Sequence, residues 1–254
     1  MSLEWLVKII KNYWPMYLRG AGVTLYISII GTVVGFIIGL LVGVVRTIPM
    51  PEKGIKRTFL KIINAVLSIY IEVFRGTPMI VQAVVIYYGS AQAFGIDLDR
   101  LTAALFIVSI NTGAYMSEIV RGGIISIDKG QYEAAEAIGM RHFQTMFNII
   151  LPQAIRNILP MIGNEFVINI KDTSVLNVIS VTELFFQAKT VAGNNFRIFE
   201  SYLIVCVIYL TMTFTVTRIL RYIERKMEGS ENYTMYANQM QVKSSGDIPH
   251  KAKN

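Results

Sequence analysis

The chain has 254 residues, 53% of them hydrophobic and only 16% charged, a balance that excludes an ordinary soluble domain. A net charge of +7 could suggest nucleic acid, but the basic residues cluster beside apolar stretches, as in the inward-facing loops of membrane proteins, so no nucleic-acid partner is expected. The single cysteine, Cys206, sits in an apolar run and excludes an internal disulfide.

Residues 1–19 read as an amphipathic arm lying along a membrane face. Leu3, Leu6, Val7 and Ile10 recur at helical spacing, and Trp5, Tyr13, Trp14 and Tyr17 suit the interface. The arm lacks the compact apolar core and cleavage site of a signal peptide. A first span follows over about 20–45, uncharged throughout and longer than the roughly 20 residues a bilayer requires. Its Gly31, Gly35, Gly39 and Gly43 form a smooth stripe that lets another helix approach closely, and packing within the subunit is the expected use.

Arg46, Lys53, Lys56, Arg57 and Lys61 then mark a cytoplasmic loop. The second span, about 58–93, is interrupted by Glu72 and Arg75 and should kink or restart at Gly76-Thr77-Pro78, where a backbone donor is lost. Glu72 and Arg75 are spaced to pair on one helical face. They are either a structural pair or the lining of a gate. A short external turn over 94–100 leads to the third span, about 101–121, which carries Asn111, Glu118 and Arg121.

Residues 128–152 are the one long segment that hydrophobicity does not explain. Asp128 can cap a short helix, with Gln131 as reciprocal partner. Glu133 and Glu136 suit its early turns, Ala134, Ala135 and Ala137 leave little bulk, and Gly139 can end it in a left-handed conformation. The expected product is a stubby knob with a shallow surface.

The fourth span, about 153–182, is the most polar, with Arg156, Asn164, Glu165, Asn169, Lys171 and Asp172. A turn-rich loop at Gly193-Asn194-Asn195 precedes the fifth span, about 200–220, which ends in Arg218, Arg221, Arg225 and Lys226. Residues 227–254 form a polar, aperiodic tail expected to be a disordered cytoplasmic extension. With the basic loops all on one side, the reading is an all-α membrane protein of five spans, N-terminus outside and C-terminus cytoplasmic, the permease domain covering 20–226.

Glu133-Ala134-Ala135, three residues, Gly139, nine residues, Ile149, one residue and Leu151-Pro152 resemble the complete EAA loop of membrane subunits of ABC importers. Ile71 to Pro78, Asn111 to Tyr115 with Glu118 to Gly123, and Gly163 to Phe166 with Lys171 to Ser174 extend the resemblance to the polar amino-acid permeases of that group, over about residues 17–226. The resemblance implies a coupling helix between spans 3 and 4, with Glu133, Ala134, Ala135 and Gly139 contacting an ATPase subunit. It also implies two ATP-binding subunits, an extracellular substrate-binding protein, pairing as a homodimer or with a sister permease, and residence in a prokaryotic cell membrane. ATP and Mg would be handled by the partner ATPase, because the chain has no Gly-x-x-x-x-Gly-Lys-Ser/Thr loop, and it is expected to bind no cofactor itself. With two histidines, His142 and His250, and no His-Glu-x-x-His, neither a metal site nor a catalytic role is expected; His142 reads as a surface residue.

A zwitterionic amino acid crossing the membrane needs partners for both charges, and ionisable residues inside spans are functional candidates by default. Glu165 leads as the ammonium partner, with Asp172 next. Asn164 and Asn169 are neutral hydrogen-bonders, and Lys171 is turned about 120° away from Glu165 on a regular helix. A stand-alone secondary transporter or channel is the alternative, without a use for the knob; an intramembrane enzyme lacks a nucleophile–base pair.

Overall fold

A computed structural model describes residues 3–227, and the expected tail lies outside the described residues. Among them the fold is entirely helical: α1 (Leu3–Val45), α2 (Ile55–Gly76), α3 (Met79–Phe94), α4 (Arg100–Ile125), α5 (Lys129–Ala137), α6 (His142–Thr145), α7 (Leu151–Asp172), α8 (Leu184–Asn195) and α9 (Ile198–Met227). A π-helical turn, Met146–Ile150, joins α6 to α7, and a 3-10 segment, Thr173–Ile179, continues α7. Three helices, α1, α4 and α9, are long and apolar enough to cross a bilayer; α2 and α3, bent by 113°, make a fourth if counted as one broken span.

The frame is α1 laid against α4. The glycine stripe is the seam: a methyl group at Gly39 would lie 2.7 Å from the Met116 carbonyl carbon and 2.8 Å from the Ser117 nitrogen, and one at Gly43 would lie 2.7 Å from Val120. Gly35 meets Thr112 in the same way. Backbone-to-backbone approach of this kind supplies the dispersion contact that holds helices together in lipid, where apolar side chains gain little by leaving the solvent.

Several elements differ from the sequence expectation. The arm and first span are one helix, with Ile9 and Tyr17 buried against α8 and the start of α9 in a cluster that includes Leu184, Val191 and Ile204. Pro15 sits inside α1 on an exposed turn, where the carbonyl it leaves unpaired faces outward. The second span does break at the expected tripeptide, as α2 and α3. The fourth span ends its α-helix at Asp172, and the stretch read as a loop before the fifth is largely a helix, α8, carrying Gly193-Asn194-Asn195 at its C-terminus.

Gly39→Ala should destabilise the subunit by about 1–3 kcal/mol, because the atoms it would strike are backbone and cannot rotate away. Gly22→Ala, with nothing within 4 Å of its added carbon, should be neutral or slightly stabilising. Thermal unfolding of the two variants in detergent checks this: equal midpoints would mean the seam is loose.

Candidate functional site

Two groups of residues stand apart from simple packing, one at the knob formed by α5 and one within the helices.

At the knob, Asp128 accepts a hydrogen bond from Gly130 N at 2.7 Å and so starts α5. Gln131 is not its reciprocal partner: Gln131 Oε1 instead accepts from Gln153 Nε2, 3.3 Å away on α7. The helix ends as the glycine suggests. Gly139 has φ of +80°, its N–H donates to Glu136 O at 2.9 Å, and Met140 N–H donates to Ala135 O at 3.0 Å. That pair of bonds is a Schellman end, and the left-handed residue it requires is cheapest as glycine. Ala135 is buried, whereas Glu133, Ala134, Glu136, Ala137 and Gly139 are exposed. Beyond the glycine the exposed surface turns apolar: Ile138, Phe143 and Phe147 stand in solvent, with the two phenyl rings 4.3 Å apart. This patch carries no signal in the EAA pattern. His142 is exposed beside it.

The knob is fastened to the frame. Ile127, Met146, Ile150 and Leu151 join Val120 and Ile124 of α4 and Ala154 and Ile158 of α7 in one buried cluster, with Leu40 and Val44 of α1 and Tyr132 of α5 packed on it. Burial pushes the Tyr132 phenol above its ordinary value, so it packs there uncharged. Beside this cluster Arg46, in the turn just after α1, pairs with Glu118 of α4. A force on α5 therefore reaches three long helices through contiguous side chains.

Within the helices the polar side chains fall into two sets. The first is satisfied inside the subunit. Asn169, a candidate from the sequence, is buried; it donates to Thr32 Oγ1 at 2.8 Å and accepts from Thr112 Oγ1 at 3.1 Å, tying α7 to α1 and α4. Gln82 and Asn111 close the helix break: Gln82 Nε2 donates to Phe74 O and Thr77 O at 3.0 and 2.9 Å, and Asn111 Nδ2 donates to Gln82 Oε1 at 2.9 Å and Phe74 O at 3.2 Å. Such side chains replace the partners that broken helices lose in hydrocarbon. Glu183, fully buried and missed by sequence reasoning, accepts from Phe185 N and Phe186 N at 2.7 Å each and from Tyr209 Oη at 3.1 Å, capping α8 and holding it to α9.

The second set has no hydrogen-bond partner among the described residues: Glu72, Arg75, Glu165 and Asp172. The expected Glu72–Arg75 pair does not form; Arg75 instead lies over the Tyr115 ring of α4 at 5.4 Å. Glu165 is half-buried, whereas Glu72, Arg75 and Asp172 are exposed on the subunit surface. Glu165 and Asp172 lie two turns apart on α7, and Arg75, at the end of α2, stands over Tyr115 of α4. Asn164 is exposed one residue before Glu165, while Lys171 opens into a different groove, against α9. Among the described residues no group of three His, Cys, Asp or Glu side chains is placed to hold a metal.

Residues 57–229 match the family described as binding-protein-dependent transport system inner membrane component. The glutamine transport system permease protein of Escherichia coli (strain K12) is 42% identical over 216 residues, covering 84% of this chain and 94% of that protein. The L-cystine transport system permease protein of Bacillus subtilis (strain 168) is 35% identical over 219 residues, 86% and 89% of the two chains. Among solved structures, an amino acid ABC transporter crystallised with histidines superposes with a TM-score of 0.76 at 38% identity, covering 89% of this chain and all of that one. An inward-facing MetNI methionine ABC transporter shares the fold at 19% identity, with a TM-score of 0.71.

Proposed function

We infer how the parts work from one premise: the chain belongs to the family of inner membrane components of binding-protein-dependent transport systems. It is the permease subunit of an ATP-driven ABC importer for a polar amino acid, a multi-pass membrane protein that works with separate ATP-binding subunits and a substrate-binding protein. The observation that carries this is the match over the full membrane-embedded core to amino-acid permeases, together with a coupling knob that a stand-alone carrier has no use for.

The finer arrangement is our proposal. The chain crosses the membrane of a prokaryotic cell five times, with α2 and α3 as one broken span and α7 with its 3-10 extension as the polar one. The cluster of Arg46, Lys53, Lys56, Arg57 and Lys61 and the basic end of α9 support a cytoplasmic position for both, with the N-terminus outside. Two permeases, copies or sisters, pair over two ATPase subunits, which bind the ATP and Mg. Exposed Glu133, Ala134 and Gly139, with buried Ala135 as the footing, form the surface that seats in the ATPase; the apolar patch of Ile138, Phe143 and Phe147 enlarges it.

The substrate passes by the unsatisfied set. Groups hydrogen-bonded and buried inside the subunit, such as Asn169, are closed to a ligand, whereas Glu165 and Asp172 present free acceptors and Arg75 a cation. A zwitterion supplies the missing partners: its ammonium meets Glu165 and Asp172, and its carboxylate meets Arg75. Asn164 and Glu72 flank the passage, and Lys171 stays outside it.

Uptake into proteoliposomes containing the whole complex, driven by ATP at the ATPase face, tests both sites. Glu165→Gln keeps the volume and removes the charge; the expected result is assembled complex with uptake reduced about tenfold or more, the loss of a charged hydrogen bond of about 1.5–3 kcal/mol. Unchanged apparent affinity and substrate preference would exclude Glu165 from the passage. Gly139→Val forces a β-branched residue to positive φ and should separate hydrolysis from uptake. A normal ratio of amino acid imported to ATP hydrolysed would show that the knob tolerates a different end.

A further inference from the structure

Lys171 is the sequence candidate that the substrate passage leaves unused, and its surroundings make a site of their own. Between α7 and α9 lies a cavity of about 340 Å³ whose lining contains three cations, Lys171, Arg218 and Arg221, and no acid. Among the described residues the ion pairs all involve Glu118, so none of these three is in a direct ion pair. The hydroxyls of Thr213 and Thr217, also in the lining, donate to the helix backbone at Tyr209 O and Thr213 O, at 2.9 and 2.7 Å. The free donors in the cavity are therefore all cationic, and the cavity calls for an anion.

The face that carries the cavity shows what kind of anion. Along α9, Arg221, Arg218, Phe214, Leu210 and Val207 recur three or four residues apart and so lie in one stripe. Its lower end is cationic and its upper end apolar, and Phe214, Leu210 and Val207 are all exposed. Arg218 lies over the Phe214 ring at 4.8 Å, which holds the guanidinium at the junction between the two ends. Of the three apolar spanning helices, α9 is the least covered by the rest of the subunit. Uncompensated cations within a bilayer are costly, and those near a helix end extend toward the headgroups. An ordered run from cations at the cytoplasmic end to bare apolar side chains above them matches the profile of one molecule: a phosphate head with an acyl chain rising from it.

We propose that the α7–α9 groove binds an anionic glycerophospholipid of the cytoplasmic leaflet, its phosphate held by Lys171, Arg218 and Arg221 and its acyl chain laid along Phe214, Leu210 and Val207. The leaflet, though not the chemistry, rests on the orientation proposed above. The site would make the permease dependent on anionic lipid at a place remote from both the knob and the substrate passage.

The test uses the complete complex, purified in detergent and equilibrated with equal amounts of phosphatidylglycerol and phosphatidylcholine, with the retained lipid counted by native mass spectrometry. The wild type should retain phosphatidylglycerol selectively. Arg218→Gln with Arg221→Gln should lower that selectivity by about fivefold for each cation removed, and Arg218→Lys with Arg221→Lys should keep it. Equal selectivity in the wild type and the Gln double variant overturns the proposal. So does a disulfide-linked permease dimer formed through Leu210→Cys in a Cys206→Ser background, because the groove would then be covered by a second copy. The orientation is scored separately: Lys226→Cys in the same background should react with a membrane-impermeant thiol reagent only when the cytoplasmic face is open. Reaction from the outside would move the site to the other leaflet while leaving the lipid-selectivity result to stand on its own.

Discussion

The close contact of α1 with α4 is the constraint on which the other features depend. In lipid the helices gain little from hiding apolar side chains, so their association relies on how near the backbones come. Four glycines on α1 allow α4 to lie with its backbone where side chains would otherwise stand. Once that seam is set, the rest is attached to it at fixed points. Asn169 binds α7 to both helices through Thr32 and Thr112, and Arg46 with Glu118 closes the end nearest the knob. From that end α4 runs almost directly into the knob, separated from α5 by Ser126 to Asp128. The knob is thus the exposed end of a braced frame, as a part that must transmit force requires.

The same frame explains why polar residues in this membrane core have two different fates. A buried hydrogen-bonding group must find a partner, because the hydrocarbon offers none. Gln82, Asn111, Asn169 and Glu183 find theirs within the chain, each joining two or more elements, and their role is architectural. Arg75, Glu165 and Asp172 lack hydrogen bonds among the described residues, and Arg75 lies over the Tyr115 ring instead. The hydrogen-bonded groups hold the architecture, and the unpaired ones are those proposed to meet the substrate.

Local chemistry was readable from the sequence wherever the partner is close along the chain. Asp128 as the start of α5, Gly139 as its left-handed end and the break at Gly76-Thr77-Pro78 all depend on residues within one turn, and all three are present. Misreadings occur where a distant element outbids the near one. Gln131 turns to Gln153 instead of to Asp128, and Arg75 turns to Tyr115 instead of to Glu72. Helix α8 was concealed by its cap: glutamate is a weaker start signal than Ser, Thr, Asp or Asn, and Glu183 is secured by Tyr209, 26 residues further on. The continuity of α1 through Pro15 likewise needs packing against α8, which spacing within the arm cannot reveal. The exposed phenyl pair at Phe143 and Phe147 could have been found from its i, i+4 spacing beside the coupling motif.

The central claim is that the ATPase grips the knob that α1, α4 and α7 brace. Hydrogen exchange of the permease, followed by mass spectrometry with and without its ATPase subunits, measures this most directly. The account predicts that added protection is centred on residues 129–147, covering α5, the Gly139 end and the exposed phenyl pair, and that the amides of the α1–α4 seam are slow to exchange in both states. Protection that falls elsewhere on the cytoplasmic side, leaving 129–147 unchanged, would contradict it.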